Sequence, residues 1–410
     1  MKSLLWALAV VLMGCGGSST QPAPKTKVHP HPNLLNKALA SPSDPLLATY
    51  AFIGCNRISA SDQSKDPLAN GSTANVPQLK QTFTDLVNST LVPIKPNYLF
   101  NAGDIVDNEA IDDGTTLQTQ LNAWASAFKS LIPVPMIGIP GNHEMLQSTG
   151  GGEPGEFPNP PTQAIWQSWV TTNGFNANSG NGPTPTSYPA DNLMFDDSKM
   201  SYSFDQSFTI GGQSMKIHFV IVNTDTQNTV TSPLNSNYKT AAWIPLNWIK
   251  ADITAAAADS QTKAIIMMGH RPLTGVPNAG ELPVDPGLSS QLVTFLAGQP
   301  KFACYLAAHA HLWTSNPITS GTTTIQQFVV GNAGSELESN WFAGTPAPPQ
   351  WQAMGAPYYG FTVLTVRQSG NIGLYHVWRP ANADRKKYYL PGPTMVSQAT
   401  QEVVVFDMTP

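Results

Sequence analysis

Apolar and polar positions along the chain follow two periods. Short apolar runs with the composition of buried strands recur at 49–53, 98–100, 135–139, 215–223, 263–268, 302–307, 328–330, 361–366 and 374–378. Between them lie stretches with helical spacing at 76–91, 116–131, 241–257 and 289–296. In the first of these, Leu79, Phe83, Leu86 and Val87 share one face. From Gln147 to about Lys199 the alternation breaks. Gly150-Gly151-Gly152, Pro158-Asn159-Pro160-Pro161 and Ser179-Gly180-Asn181-Gly182-Pro183 predict loops there, around one short helix near 163–172. Strands alternating with helices predict an α/β fold. So many strands exceed one small sheet, so two packed sheets with helices outside are expected.

Composition adds constraints on partners. The chain has 410 residues, 11% of them charged, with 21 Lys+Arg against 26 Asp+Glu and a formal charge of −5. That mild acidity lacks the basic stripe a general nucleic-acid binder needs, so no nucleic acid is expected as a partner. Three cysteines exclude a disulfide scaffold.

The polar residues that close the strand runs carry the chemistry. One run gives Gly103-Asp104-Ile105-Val106-Asp107-Asn108 and the next Gly141-Asn142-His143-Glu144. Further on come Gly269-His270-Arg271-Pro272 and Ala308-His309-Ala310-His311. Ligands of open α/β sheets bind beyond the carboxyl ends of strands, and four of the chain's eight histidines lie there. With Asp104 and Asn142 they make a nitrogen and oxygen donor set suited to Zn, Mn or Fe. Asp225 ends another strand and reads as a turn cap. His218 and His376 fall inside strands and read as packing residues, His29 and His31 as part of a solvated linker. Trp313 reads equally as a pocket wall or as core. Cys304, about 16 Å up its strand from the strand-end cluster, reads as core.

These motifs resemble those of the calcineurin-like metallophosphoesterase superfamily, over about residues 48–378, with Gly141-Asn142-His143-Glu144 the most specific. The resemblance implies a four-layer α/β/β/α sandwich of two mixed sheets. It implies one or two metal ions and hydrolysis of a phosphate-ester small molecule by a metal-activated water. It makes Asp104 a bridging ligand, places Asn142, His270 and His309 on one metal, and gives His311 to the other. His143 would serve as acid or charge stabiliser, oriented by Asp107, with Asn142 also near substrate. The chemistry is coherent, since paired cations neutralise phosphoryl oxygens and activate water.

The chain departs from that pattern at the first motif. Where Asp-x-His is expected after a strand, it has Cys55-Asn56-Arg57. Three readings stand. Cys55 replaces the Asp as a thiolate ligand, favouring Zn or Fe, as in the similar strand end of the alkaline phosphatase D family. Alternatively, Asn56 or a water fills the gap. In the third reading, Arg57 supplies a fixed positive charge, holds substrate phosphate, and only one metal binds. A degenerate member that binds a phosphorylated ligand without turnover is the alternative function. Ala308 also stands where the pattern has Gly, and the loops after Asn142-His143 are expected to overhang the site and set substrate choice.

The amino terminus carries an address. Lys2 precedes an apolar run at 4–13, too short to span a bilayer. Leu12-Met13-Gly14-Cys15 resembles a bacterial lipobox, which implies cleavage before Cys15, acylation of Cys15, and a lipid-anchored protein of the cell envelope facing the periplasm or exterior. The expected organisation is a signal peptide at 1–14, a flexible tether at 15–45 and a main domain at 46–385 interrupted by the 147–199 insertion. A C-terminal extension at 386–410 completes it.

Overall fold

The computed structural model describes residues 43–57, 76–88, 92, 94–106, 115–132, 134–147, 157–158, 160–176, 180–229, 242–276, 282–335, 337, 358–380, 398–399 and 402–408. Their main elements, in chain order, begin with β1 (Leu46–Ile53), α1 (Val76–Asn88), β2 (Tyr98–Ala102), α2 (Thr115–Phe128), β3 (Met136–Ile139) and α3 (Pro160–Asn173). Next come β4 (Tyr202–Ile210), β5 (Gln213–Val222), α4 (Leu246–Ala258), β6 (Thr262–Gly269), α5 (Pro286–Ala297) and β7 (Phe302–Ala307). The last are β8 (Trp313–Ser315), β9 (Gln327–Val330), β10 (Tyr358–Arg367), β11 (Asn371–Pro380) and β12 (Val403–Asp407).

Two mixed sheets result. In the first, β1, β2 and β3 run parallel, and β10 lies antiparallel on the other side of β1, followed by β11. In the second, β5, β6, β7 and β9 are parallel neighbours, with antiparallel β4 and β8 at the edges. The parallel centres put the carboxyl ends of β1, β2 and β3, and those of β5, β6 and β7, in line along their sheets.

The alternation of side chains across each pleat explains the layering. Along β1, Tyr50 and Phe52 face the second sheet, and Ala51 and Ile53 face outward. Between the sheets, Tyr50 meets Phe219 edge-on with centroids 5.0 Å apart, and Phe204 stacks on Phe219 at 5.3 Å. Outside the first sheet, Leu79 and Phe83 of α1, Trp124 of α2 and Trp166 and Trp169 of α3 form a separate core. Outside the second, Trp248 and Ile249 of α4 and Leu292 of α5 complete the fourth layer.

The elements differ from the sequence reading where a strand is half wet. β4 makes no apolar run in the sequence, because between its buried ends half-buried residues alternate with exposed ones. It is tied to β5 by Gly211-Gly212, both at positive φ (58° and 81°), as tight hairpins require. β12 lies in the segment expected as a C-terminal extension and pairs antiparallel with β11. The helix expected from 241 begins at Leu246, because Pro245 lacks the amide hydrogen a helix interior needs. The 147–199 insertion gives its helix to the outer layer. Residues 148–156, the loop segment expected over the site, fall outside the described residues, as do residues 1–42 with Cys15 and most of the tether. Among the described residues, no helix is long and apolar enough to cross a membrane.

Candidate metal centre

Five strand ends build the centre. β1 runs into Cys55-Asn56-Arg57, β2 into Gly103-Asp104, β3 into a helical turn at Asn142–Met145, β6 into His270-Arg271, and β7 into His309-Ala310-His311. Three of these turns use a left-handed residue: Cys55 (φ 54°), Asp104 (φ 51°) and His309 (φ 66°). Such conformations cost roughly 1–3 kcal/mol each and persist only where the surroundings enforce them. Here the Cys55 amide donates to the Gly103 carbonyl (3.0 Å) and the Asn56 amide to that of Asp104 (2.9 Å), stitching two strand ends together. The Glu144 carboxylate braces the same turn, accepting the amides of Gly141 (2.7 Å), Asp104 (2.9 Å), Ile105 (2.9 Å) and Val106 (3.2 Å). Burial, and then repulsion from Asp104, push its carboxyl up to about 7. Gly141 makes this closeness possible: a Cβ there would lie 2.4 Å from Asp104 Oδ1.

His270 is the hub. Its Nδ1–H donates to the Ala102 carbonyl at 2.6 Å, which leaves the Nε2 lone pair facing the site in the neutral ring. Around Nε2 lie Asn142 Oδ1 at 3.1 Å, His309 Nδ1 at 3.0 Å and Asp104 Oδ1 at 3.2 Å. Bonds near 2.1 Å to one ion place neighbouring ligand atoms about 3.0–3.4 Å apart, the lower figure for six ligands and the upper for four. The Cys55 Sγ also joins Asp104 and His270 in a group whose ligand atoms lie within 4.8 Å of one another. All of these side chains are buried. Burial opposes the charge of Asp104, but His270, His143 and Arg57 outweigh it and hold its carboxyl well below the usual carboxylate range. Burial, with the Arg271 guanidinium and His270, pulls His309 well below the usual imidazole range, so it is neutral. Buried oxygen and nitrogen donors of this kind, with Asp104 anionic, fit a divalent ion of the Zn, Mn or Fe type.

Of the first-motif residues, Arg57 occupies the other side, against His143 and His311. Arg57 Nη1 lies 2.6 Å from His143 Nε2, and Arg57 Nη2 lies 2.8 Å from His311 Nε2. A guanidinium has no acceptor, so both imidazole nitrogens accept. His143 Nε2 also lies 3.8 Å from Asp104 Oδ2. Cys55 and His311, expected to share an ion, therefore separate: the thiol stands with Asp104 and His270, the imidazole against Arg57. Asn56 turns away into the core, donating to Asn101 Oδ1 (3.1 Å) and accepting from Trp124 Nε1 (3.0 Å). The reading in which Asn56 fills the gap is thus disfavoured. Asp107, expected to orient His143, lies outside the described residues.

Two residues gain roles that the sequence did not reveal. Arg271 Nε donates to Asp225 Oδ1 (2.8 Å) and Oδ2 (3.0 Å), and Arg271 Nη1 donates to His309 Nε2 (2.9 Å). Asp225 is therefore more than a turn cap: it anchors an arginine that donates to His309 Nε2, so the neutral ring carries its proton on Nδ1, facing His270 Nε2, and Nδ1 must give up that proton to bind a metal. The available signal was that β5 and β6 both end in polar residues. Ala308 is accommodated because Gly54 has no side chain: a Cβ on Gly54 would lie 2.3 Å from that of Ala308. Cys304 is a buried free thiol in β7, as expected of core. Trp313 is buried, stacked on His376 at 4.7 Å.

Comparison with known proteins bears on this architecture. No curated protein matches the chain. Among solved structures, a dimetal phosphatase from Danio rerio is similar, at 10% identity and TM-score 0.48, covering 88% of this chain and 99% of its own. A PhoD structure is similar at 13% identity and TM-score 0.45, covering 88% of this chain and 72% of its own. The family profile described as calcineurin-like phosphoesterase matches residues 72–312, a span that begins before β2 and ends just past His311. With more than half of its length matched, and with Asp104, Asn142, His270 and His309 converging inside the matched stretch, the chain belongs to the calcineurin-like phosphoesterase family and is a phosphoester hydrolase.

Proposed function

We propose that this chain hydrolyses a phosphate-ester small molecule outside the cytoplasm, at a centre whose ion is held by Asp104, Asn142, His270 and His309, with Cys55 beside them. The observation that carries the reading is the convergence of Asn142 Oδ1, His309 Nδ1 and Asp104 Oδ1 on His270 Nε2 at 3.0–3.2 Å. A bound ion supplies positive charge to phosphoryl oxygens and lowers the pKa of a water it holds. The protein does the rest. Ala102 fixes the His270 tautomer with Nε2 toward the site, Arg271 holds the His309 ring in place, and Glu144 holds the Asp104 turn. Arg57, held in place by His143 Nε2 and His311 Nε2, stabilises charge on the phosphoryl group, and because His143 Nε2 accepts from Arg57 it has no proton there for the leaving group. The lipobox-like Leu12–Cys15 segment supports an acylated Cys15 and an envelope location, where two or more acyl chains give stable anchoring.

The test is release of nitrophenol from nitrophenyl phosphate by purified protein with Mn²⁺ or Zn²⁺. Turnover that chelation abolishes, metal restores and His270→Ala removes is the expected result. Metal binding and phosphate binding without turnover would favour the alternative, a member that binds a phosphorylated ligand only.

A further inference from the structure

We infer that the Arg57 guanidinium stands where a second cation would, so that the centre carries one metal ion and one built-in positive charge. The inference rests on the metal-centre reading above. Two imidazole lone pairs, His143 Nε2 and His311 Nε2, point at one place, and Arg57 fills it, with Nη1 at 2.6 Å and Nη2 at 2.8 Å. A neutral imidazole nitrogen offers one lone pair, so while it accepts from Arg57, His311 is not a metal ligand. The backbone fixes this arrangement. Cys55 and Asn56 are tied to the Gly103-Asp104 turn, the Cys55 carbonyl accepts the amides of Gly334 (3.2 Å) and Ser335 (2.9 Å), and the Arg57 amide donates to Ser335 Oγ (3.3 Å). Asn56 is held in the core by Asn101 and Trp124. The β1 end therefore delivers Arg57, not a ligand, to the His143–His311 side. A second divalent ion there would meet a like charge at hydrogen-bond range.

The assignment also explains the pairing of Cys55 with Arg57. The thiol lies on the Asp104–His270 side, where it adds to the donor set of one ion. Two residues on, the arginine replaces the charge of the other. A guanidinium keeps its charge at every working pH and matches the geometry of phosphate oxygens, so phosphate affinity on this side does not depend on metal supply.

The experiment uses the purified full chain loaded with Mn²⁺ or Zn²⁺. It counts ions by elemental analysis and measures inorganic phosphate binding by calorimetry. One ion per chain is expected in the wild type. Arg57→Ala is expected to weaken phosphate binding about 10–100-fold, the loss of a charge-assisted contact, with Arg57→Lys in between. If Arg57→Ala no longer melts cooperatively, Arg57→Lys alone decides, since it keeps the charge and loses the fork. Two ions in the wild type, or unchanged phosphate affinity in the folded variants, would overturn the inference and leave the phosphoesterase function standing. No ion in the wild type would sink the metal-centre reading and this inference together.

Discussion

At the scale of single residues, hydrogen-bond direction decides roles. His143 Nε2 accepts from Arg57, so it holds no proton on that nitrogen to give a leaving group. His143→Ala is therefore expected to lower kcat by about 10²–10³-fold, because it releases the Arg57 guanidinium that His143 holds in place as a donor to developing charge. The loss should be the same for alkyl and nitrophenyl phosphates. A much larger loss on the alkyl ester, which needs protonation, would return His143 to the role of acid. Asp225 acts at one remove, through Arg271 and His309. Asp225→Asn is expected to raise the Kd for the metal about 10–100-fold, the usual effect of losing a ligand's supporting partner. Calorimetric titration with Mn²⁺ or Zn²⁺ checks this, and unchanged affinity would leave Asp225 a turn cap only.

At the scale of elements, the hairpin of β4 and β5 against α4 carries a cluster away from the centre. His218 Nδ1 lies 2.7 Å from Asp205 Oδ1 of β4, and Nε2 lies 2.9 Å from Asp252 Oδ2 of α4. Ser203 Oγ donates to Asp252, while Lys216 pairs with Asp205 and Asp259. Burial lowers the affinity of His218 for a proton, but Asp252 and Asp205 outweigh it and raise its pKa above the ordinary 6.5. Protonated, the ring donates to both carboxylates; neutral, it donates to one and turns a lone pair on the other. A raised folded pKa gives stability that is fully present below 6.5 and lost as pH rises through the elevated value. The wild type should therefore melt above His218→Gln near pH 6, by an amount worth about 1 kcal/mol, small because Asp205 is partly solvated. That advantage should vanish by about pH 9. A difference in melting temperature that stays constant across this range would show that His218 contributes packing alone.

At the scale of the whole molecule, the question is where the centre works. The proposed anchor is Cys15, linked to the folded layers by a segment rich in Ser, Pro, Lys and Asn. Cys15→Ala is expected to move the protein from the membrane fraction to the soluble fraction of the envelope, because the acyl chains on Cys15 are the proposed anchor. Fractionation of cells expressing both forms checks this, and a variant that stays with the membrane would remove the lipid anchor from the account. Nitrophenyl phosphate hydrolysis by the released form should equal that of the anchored one, since the layers that build the centre begin at β1.

The two-sheet α/β architecture was legible in the chain because it depends on local quantities. Buried strands read as apolar runs, and helices read as a face of spaced apolar residues such as Leu79 and Phe83. That Asp104, Asn142, His270 and His309 would meet could also be read, since each follows a strand and parallel strands end on one edge. Strands with a wet face were not legible: in β4, Asp205, Ser207 and Thr209 interrupt the apolar run, and β12 holds exposed Val403 and Val404. Nor was the use of the first motif. Cys55-Asn56-Arg57 admitted a thiolate ligand, an amide ligand or a fixed charge, and residue type alone does not choose among them. The left-handed turn at Cys55 and the Asn101 and Trp124 partners of Asn56 sent Arg57 to His143 and His311. The Asp225–Arg271–His309 chain was hidden for the same reason. Its members are 38–84 residues apart in sequence, and only the side-by-side ends of β5, β6 and β7 bring them into hydrogen-bond range. Periodicity belongs to neighbours along the chain; the direction of a side chain at a strand end belongs to the neighbours that folding supplies.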